Sequence, residues 1–162
     1  MGRFLGPASA AKRTGEALED APCREAQGSL KVLLDTDVCI AIINRDERAR
    51  PHLERHAPSA LRMSSITLAE LRFGVAKSQQ RKRAASNLRV LLGKVSALPF
   101  DDAATERYGD LRTLLEKRGS PIGPLDTLIA AHALSLGYVL ATHNTREFRR
   151  VPGLKVEDWL GQ

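Results

Sequence analysis

The chain has 162 residues, 43% hydrophobic and 27% charged, enough for one domain with its own buried core. Its net charge is +6 at pH 7, and the excess lies in residues 30–162, with 21 basic against 15 acidic side chains; the first 29 residues carry four of each. Two cysteines imply neither a disulfide framework nor a zinc site, and no apolar run reaches the ~18 residues of a membrane span, so composition points to a reducing cytoplasm, no membrane, and a polyanionic partner.

Residues 1–29 are rich in Ala and Gly and carry mixed charges without an apolar period, which reads as a disordered leader or an over-long start assignment. The folded domain is expected over 30–162. Lys31–Asp35 reads as a short buried strand, and Thr36 caps a helix through Val38, Ile40 and Ile43. Asp46–Arg55 reads as a second helix, with Pro51 at odds with its middle. Leu61–Ser64 is a strand, and Ser65 or Thr67 starts a helix through Leu68, Leu71, Phe73 and Val75. Arg81–Val95 is helical with Leu88, Leu91 and Leu92 on one face. Ala97–Phe100 is a short strand, and Asp101 caps a helix that Gly119 ends. Leu125–Leu136 is a helix ended by Gly137, followed by a strand at Tyr138–Ala141, a short helix near Arg146–Phe148 and an edge strand at Lys155-Val156. Short apolar strands alternating with helices predict an α/β fold of three layers, a central parallel sheet wrapped by helices.

Three acids stand out within this pattern. Asp35 ends an apolar run, Glu70 lies among Leu68, Ala69 and Leu71, and Asp126 follows Pro121-Ile122-Gly123-Pro124-Leu125. Each has an ordinary explanation. Asp35 can be a helix cap. Thr67-Leu68-Ala69-Glu70 matches a capping box, and Asp126 suits the positive end of a helix. Ionised carboxylates among apolar neighbours nevertheless need a partner or a cation. Parallel sheets bind ligands at the carboxyl ends of their strands, where Asp35 and the segment after Ala141 both fall, with Glu70 and Asp126 expected in the first turns of helices. Three acids meeting there repel one another, and a hard divalent ion, Mg²⁺ or alternatively Mn²⁺, relieves that repulsion. Asp37 either completes the cap or holds water around the ion. Asn144 is placed to orient a water or a phosphate, and Arg72, Lys77 and Arg146 to hold phosphates. His132 reads as a core histidine and His143 as a loop histidine. Walker, GxGxxG and GxSxG patterns are absent.

At this point the wording of the chain is similar to a known family. Leu33-Leu34-Asp35-Thr36-Asp37, Ser65-Ile66-Thr67-Leu68-Ala69-Glu70-Leu71-Arg72-Phe73-Gly74, Pro121-Ile122-Gly123-Pro124-Leu125-Asp126 and Thr142-His143-Asn144-Thr145-Arg146-Glu147-Phe148 resemble, in that order, the VapC toxins of the PIN-domain ribonucleases. Val151-Pro152-Gly153-Leu154 and Glu157-Asp158-Trp159 extend the likeness, so it spans residues 30–162. The resemblance implies a Mg²⁺-dependent endoribonuclease, the toxin of a type II toxin–antitoxin pair, forming homodimers and neutralised by a VapB-type antitoxin. It implies that Asp35 and Asp126 hold the metal, that Glu70 completes the acidic set, and that Asn144 stands where many PIN domains carry a fourth acid. The Thr-x-Asn-x-x-Glu-Phe form resembles a subgroup some of whose members cut a tRNA in its anticodon loop. His143 replaces the Asn usual there.

Two rivals remain to be weighed. Leu33-Leu34-Asp35-Thr36-Asp37-Val38 also fits the first motif of haloacid-dehalogenase-like phosphatases, but that fold needs a later lysine and acid pair that the twenty residues after Thr142 do not supply. A non-catalytic PIN-like module that only binds RNA or antitoxin is disfavoured by acids at all three positions.

Overall fold

The computed structural model describes residues 30–161. The expectations for residues 1–29 lie outside the described part of the chain. Five strands alternate with seven α-helices: β1 (Val32–Leu34), α1 (Thr36–Ile43), α2 (Arg50–Arg55), β2 (Leu61–Ser64), α3 (Ser65–Lys77), α4 (Arg81–Leu92), β3 (Ser96–Leu98), α5 (Asp102–Lys117), α6 (Pro124–Leu136), β4 (Val139–Thr142), α7 (Thr145–Phe148) and β5 (Val156–Asp158). All four strand pairings are parallel, in the order β3-β2-β1-β4-β5.

Alternation along β1 builds the two flanking layers. Val32 and Leu34 join a core with Val38 and Cys39 of α1, Leu71 of α3 and Leu88 and Leu91 of α4. Leu33 points the other way, into a core with Leu111 and Leu115 of α5, Ile129 and Ala130 of α6, and Phe148 of α7. A central strand buried on both faces needs such a continuous apolar run. Each fully buried leucine contributes about 1.5–3 kcal/mol relative to exposure. No described helix is long and apolar enough to cross a membrane.

The strand order fixes where a ligand can enter. From β1 the chain moves to β2 and β3 on one side, then crosses back to place β4 on the other side of β1. The carboxyl ends of β1 and β4 therefore flank the point where the winding reverses, which is where open parallel sheets leave a crevice.

Three local expectations are corrected. The helix expected over Asp46–Arg55 starts only at Arg50, so Pro51 sits in its first turn, where a missing N–H costs nothing. The cap of α1 is Asp35 rather than Thr36: its Oδ1 accepts from the Thr36 N–H at 2.8 Å. α3 starts at Ser65, one of the two expected starts, but its cap is Ser64, whose Oγ accepts from the Ile66 N–H at 3.1 Å. Glu70 is consequently the sixth residue of α3, in its second turn, and the capping box at Thr67 is not used. Gly137 ends α6 with φ +67°, a conformation that side chains disfavour.

A candidate acidic active site

Asp35 leaves the end of β1 with its backbone N–H bound to the Ala141 carbonyl of β4 at 2.9 Å. Its side chain is buried. Oδ1 caps α1, and Oδ2 accepts from the Thr142 hydroxyl at 2.7 Å. Asp37, two residues on, reaches the same loop: its Oδ2 accepts from the His143 N–H at 2.8 Å, and its Oδ1 from the Val38 N–H at 2.6 Å. The Thr142 oxygen in turn accepts from the Asn144 N–H at 3.0 Å. The two strand ends are thus stitched together by side chains that lie 105 to 107 residues apart in sequence.

The other two acids approach from helices. Glu70 on α3 takes a short hydrogen bond from the Thr36 hydroxyl of α1. Asp126 lies in the first turn of α6, where Pro124 starts the helix and Gly123 lies directly against the carboxylate; a Cβ at Gly123 would stand 3.2 Å from Oδ2. Asn144, the N-cap residue of α7, donates from Nδ2 to Asp126 Oδ2 at 3.2 Å.

Electrostatics ties these groups together. Burial, and then the charge of Asp37, pushes the Asp35 carboxyl up to about 7, although the Thr142 and Thr36 hydrogen bonds favour its ionised form; Asp126 adds a smaller repulsion. Asp126 is also raised, first by burial and then by Glu70, Glu147 and Asp37. Buried carboxylates with further acids close by favour a cation beside them, and hard oxygen donors of this kind suit a Mg²⁺-like ion. The set is gathered but not closed: among the described residues no three His, Cys, Asp or Glu side chains form a ready-made metal-binding group. Each acid is instead occupied by a hydrogen-bond donor, Thr142 on Asp35, Thr36 on Glu70 and Asn144 on Asp126.

The remaining expected residues separate. Lys77 is seven residues from Glu70, which on an α-helix is the same face. Arg72 is two residues from Glu70, about 200° around the helix, and lines the groove between α3 and α4 with Arg81 and Arg89, away from the Glu70 face. Arg146 is exposed on α7, two residues after Asn144. His132 is buried, with Nδ1 beside Ser64 Oγ at 2.9 Å, and burial lowers its pKa. His143 is exposed, its ring against Asp158 Oδ1 at 3.2 Å.

Two participants escaped the sequence reading. Thr36 reads from sequence as a helix cap, and its bond to Glu70 across 34 residues has no local signature. Glu147 sits one turn after Asn144 and is among the charges that raise Asp126. Its only signal was membership of the Thr-x-Asn-x-x-Glu-Phe run.

The model of the PIN domain matches residues 32–154. The chain belongs to the PIN-domain family. It falls among that family's VapC ribonucleases. It is 40% identical over 131 residues to the tRNA(fMet)-specific endonuclease VapC of Shigella flexneri, covering 80% of this chain and 98% of that one. It is likewise 40% identical over 129 residues to ribonuclease VapC2 of Rickettsia felis, covering 78% of this chain and 96% of the relative. Among solved structures, DNA-bound VapBC from Salmonella typhimurium aligns with a TM-score of 0.76 at 40% identity, over 80% of this chain and 98% of that one. VapBC2 from Rickettsia felis, bound to a DNA fragment from its promoter, aligns with a TM-score of 0.74 at 36% identity, over 79% of this chain and 98% of the other.

Proposed function

We propose that this VapC-type PIN domain is an endoribonuclease toxin that hydrolyses RNA phosphodiesters at the rim formed by Asp35, Glu70, Asp126 and Asn144, with Asp35 and Asp126 as the direct ligands of a divalent cation. The observation that carries the site is geometric: Thr142 joins the buried Asp35 to the end of β4, and Asn144, two residues on, bonds the half-buried Asp126, so both carboxylates stand at the sheet's reversal point, each raised first by burial and then by neighbouring acids. A polyanionic substrate would be repelled from bare carboxylates, so a cation must accompany it.

The donor set fits Mg²⁺, with Mn²⁺ as the alternative, and water or substrate oxygens complete a shell that protein carboxylates alone do not. Such an ion supplies positive charge against the phosphate and makes a nearby water more acidic. The chain's own residues do the positioning. Asp35 is fixed by Thr142 and by the α1 N-terminus, so its carboxylate has little freedom to swing. Asp37 holds the His143 N–H and the Thr142 hydroxyl oxygen that of Asn144. Asn144 bonds Asp126 and keeps its second side-chain polar atom for a water or phosphate oxygen. Thr36, next to Asp35 at the start of α1, holds Glu70 through its hydroxyl. Lys77 and Arg146 hold flanking phosphates on the two arms, α3 and α7; Arg72 binds RNA only where a strand also crosses the α3–α4 groove. A water nucleophile leaves 5′-phosphate and 3′-hydroxyl ends.

The partner and substrate follow from the relatives. A VapB-type antitoxin neutralises the toxin, as the VapBC complexes among the structural matches support. A tRNA is the substrate that the name of the Shigella flexneri relative supports, and we place the cut in its anticodon loop, which offers splayed bases rather than a duplex groove.

The open arrangement of the acids keeps one other reading in view, a PIN-like module that binds RNA without cutting it. Asp126→Asn decides between them. The isosteric amide should reduce cleavage of RNA by on the order of a hundredfold or more while RNA binding is retained. Undiminished cleavage in that variant removes the site from the mechanism, and no cleavage by the unmodified chain with Mg²⁺ or Mn²⁺ favours the binding module.

A further inference from the structure

A cleft of about 250 Å³ opens between α5 and the loop that leads into α6. Tyr108 and Arg112 of α5 face it, Pro121, Ile122 and Pro124 enter from the loop, and the buried Leu115 closes its bottom. None of these residues belongs to the acidic rim, but the loop is common to both. A Cβ at Gly123 would stand 3.2 Å from the Asp126 carboxylate, and the residues on either side of it, Ile122 and Pro124, line the cleft. The loop is anchored: Arg150 donates from Nη1 to the Pro121 carbonyl at 3.1 Å and pairs with Glu147.

The lining selects a kind of ligand. Arg112 is held at two points, donating from Nη1 to Tyr108 Oη and from Nε to Glu116 Oε1, each at 2.9 Å. A guanidinium has five N–H donors, so others remain for a ligand. The Glu116 carboxylate at the edge of the cleft disfavours a phosphate. Aromatic, proline and isoleucine surfaces favour a flat ring instead. The volume lies below the 300–1,000 Å³ range of common small-molecule sites, which suits one planar group.

We propose that this cleft takes a single unstacked purine of the RNA substrate, guanine above adenine, and so sets where the Asp126 site cuts. Guanine presents two acceptors on one edge, O6 and N7, the pattern that an arginine fork matches best. The inference rests on the endoribonuclease reading. It gives α5 a role in specificity that the acidic residues cannot have, because metal and carboxylates see only the phosphate.

The test is cleavage of a pool of short random-sequence single-stranded RNA by the full chain, with the new ends sequenced. Cleavage by the unmodified chain checks the endoribonuclease reading separately. Given cleavage, Arg112→Ala and Tyr108→Leu are compared with it, their melting temperatures confirming that they fold; Tyr108→Phe keeps the ring should the leucine variant not fold. The expected result is a rise in KM of about fivefold or more with kcat much less affected, and loss of a purine preference at one fixed distance from the cut. An unchanged base preference overturns the proposal, whether or not KM rises, because a uniform rise marks a contact to phosphate. A fall in kcat at constant KM overturns it too, since the cleft then acts only by holding the Asp126 loop. An altered elution volume for Arg112→Glu also overturns it, by making this face a contact between copies of the chain.

Discussion

The two halves of the acidic rim are built differently. Asp35 is buried, sits on a central strand, and has both carboxylate oxygens engaged, one by backbone and one by Thr142. Asp126 is half-buried on the first turn of a helix, and its one side-chain hydrogen bond is the 3.2 Å contact from the exposed Asn144. The fold thus fixes one carboxylate at a cost in desolvation and leaves its counterpart accessible. A rigid half sets position and an open half admits the ligand, which is how preorganisation and access can coexist in one site.

The comparison is broken most completely by removing the charges. Asp35→Asn and Asp126→Asn should each lower RNA cleavage by on the order of a hundred- to a thousandfold. Stability should separate them. Asn still caps α1, and the change removes a buried charge, so Asp35→Asn should melt higher than the parent at pH 8 without divalent ions, whereas Asp126→Asn should shift far less. Equal shifts in thermal melting would mean that the two halves are not as different as the burial says.

The pH dependence sharpens the same point. Asp35 has its pKa raised from 3.8 to about 7, so between these values the folded state binds a proton that the unfolded state has lost. Stability of the cation-free protein therefore falls as pH rises from about 4 to 7, by up to roughly 4 kcal/mol, and levels off above that. Added Mg²⁺ or Mn²⁺ should restore most of it above pH 7 and little at pH 5, where the proton competes. Denaturant melts across that range, with and without the ion, would read this; a curve that is flat from 4 to 7 would contradict the burial of an ionisable Asp35.

Smaller effects come from the supports. Thr142→Val keeps the shape but removes the hydroxyl that links Asp35 to the Asn144 backbone, and should cost about 1–2 kcal/mol of stability with a loss of cleavage. Gly123→Ala adds one methyl against Asp126 and should slow cleavage severalfold with a melting point within a few degrees of the parent. If Gly123→Ala proves as damaging to stability as Thr142→Val, the Asp126 half is more rigid than its hydrogen bonding implies.

Much of the fold was legible because its strands are buried on both faces and its helices are punctuated. Leu33 flanked by Val32 and Leu34, Gly119 and Gly137 after helices, and Asp101 at a cap are local signals, and each element they predicted exists. Boundaries failed where several caps competed. Ser65 and Thr67 could each start α3 from sequence; the helix starts at Ser65 with Ser64 as its cap, which places Glu70 in the second turn rather than the first. The candidate acids themselves were legible as charges in apolar runs. Their partners were not, because the bonds from Thr36 to Glu70 and from Thr142 to Asp35 join residues 34 and 107 apart. Arg72 shows the limit of proximity in sequence: two residues from Glu70 is close along the chain and nearly opposite around the helix.

The central claim, that Asp35 and Asp126 hold one divalent ion between a fixed and an open arm, is tested most directly by a crystal of the full chain soaked in Mn²⁺ and read by its anomalous signal. The account predicts one peak within coordination distance of a carboxylate oxygen from each of Asp35 and Asp126, lost in Asp126→Asn crystals. A cleaving enzyme whose Mn²⁺ peak lies elsewhere, or whose Asp126→Asn crystals retain it unchanged, would contradict it.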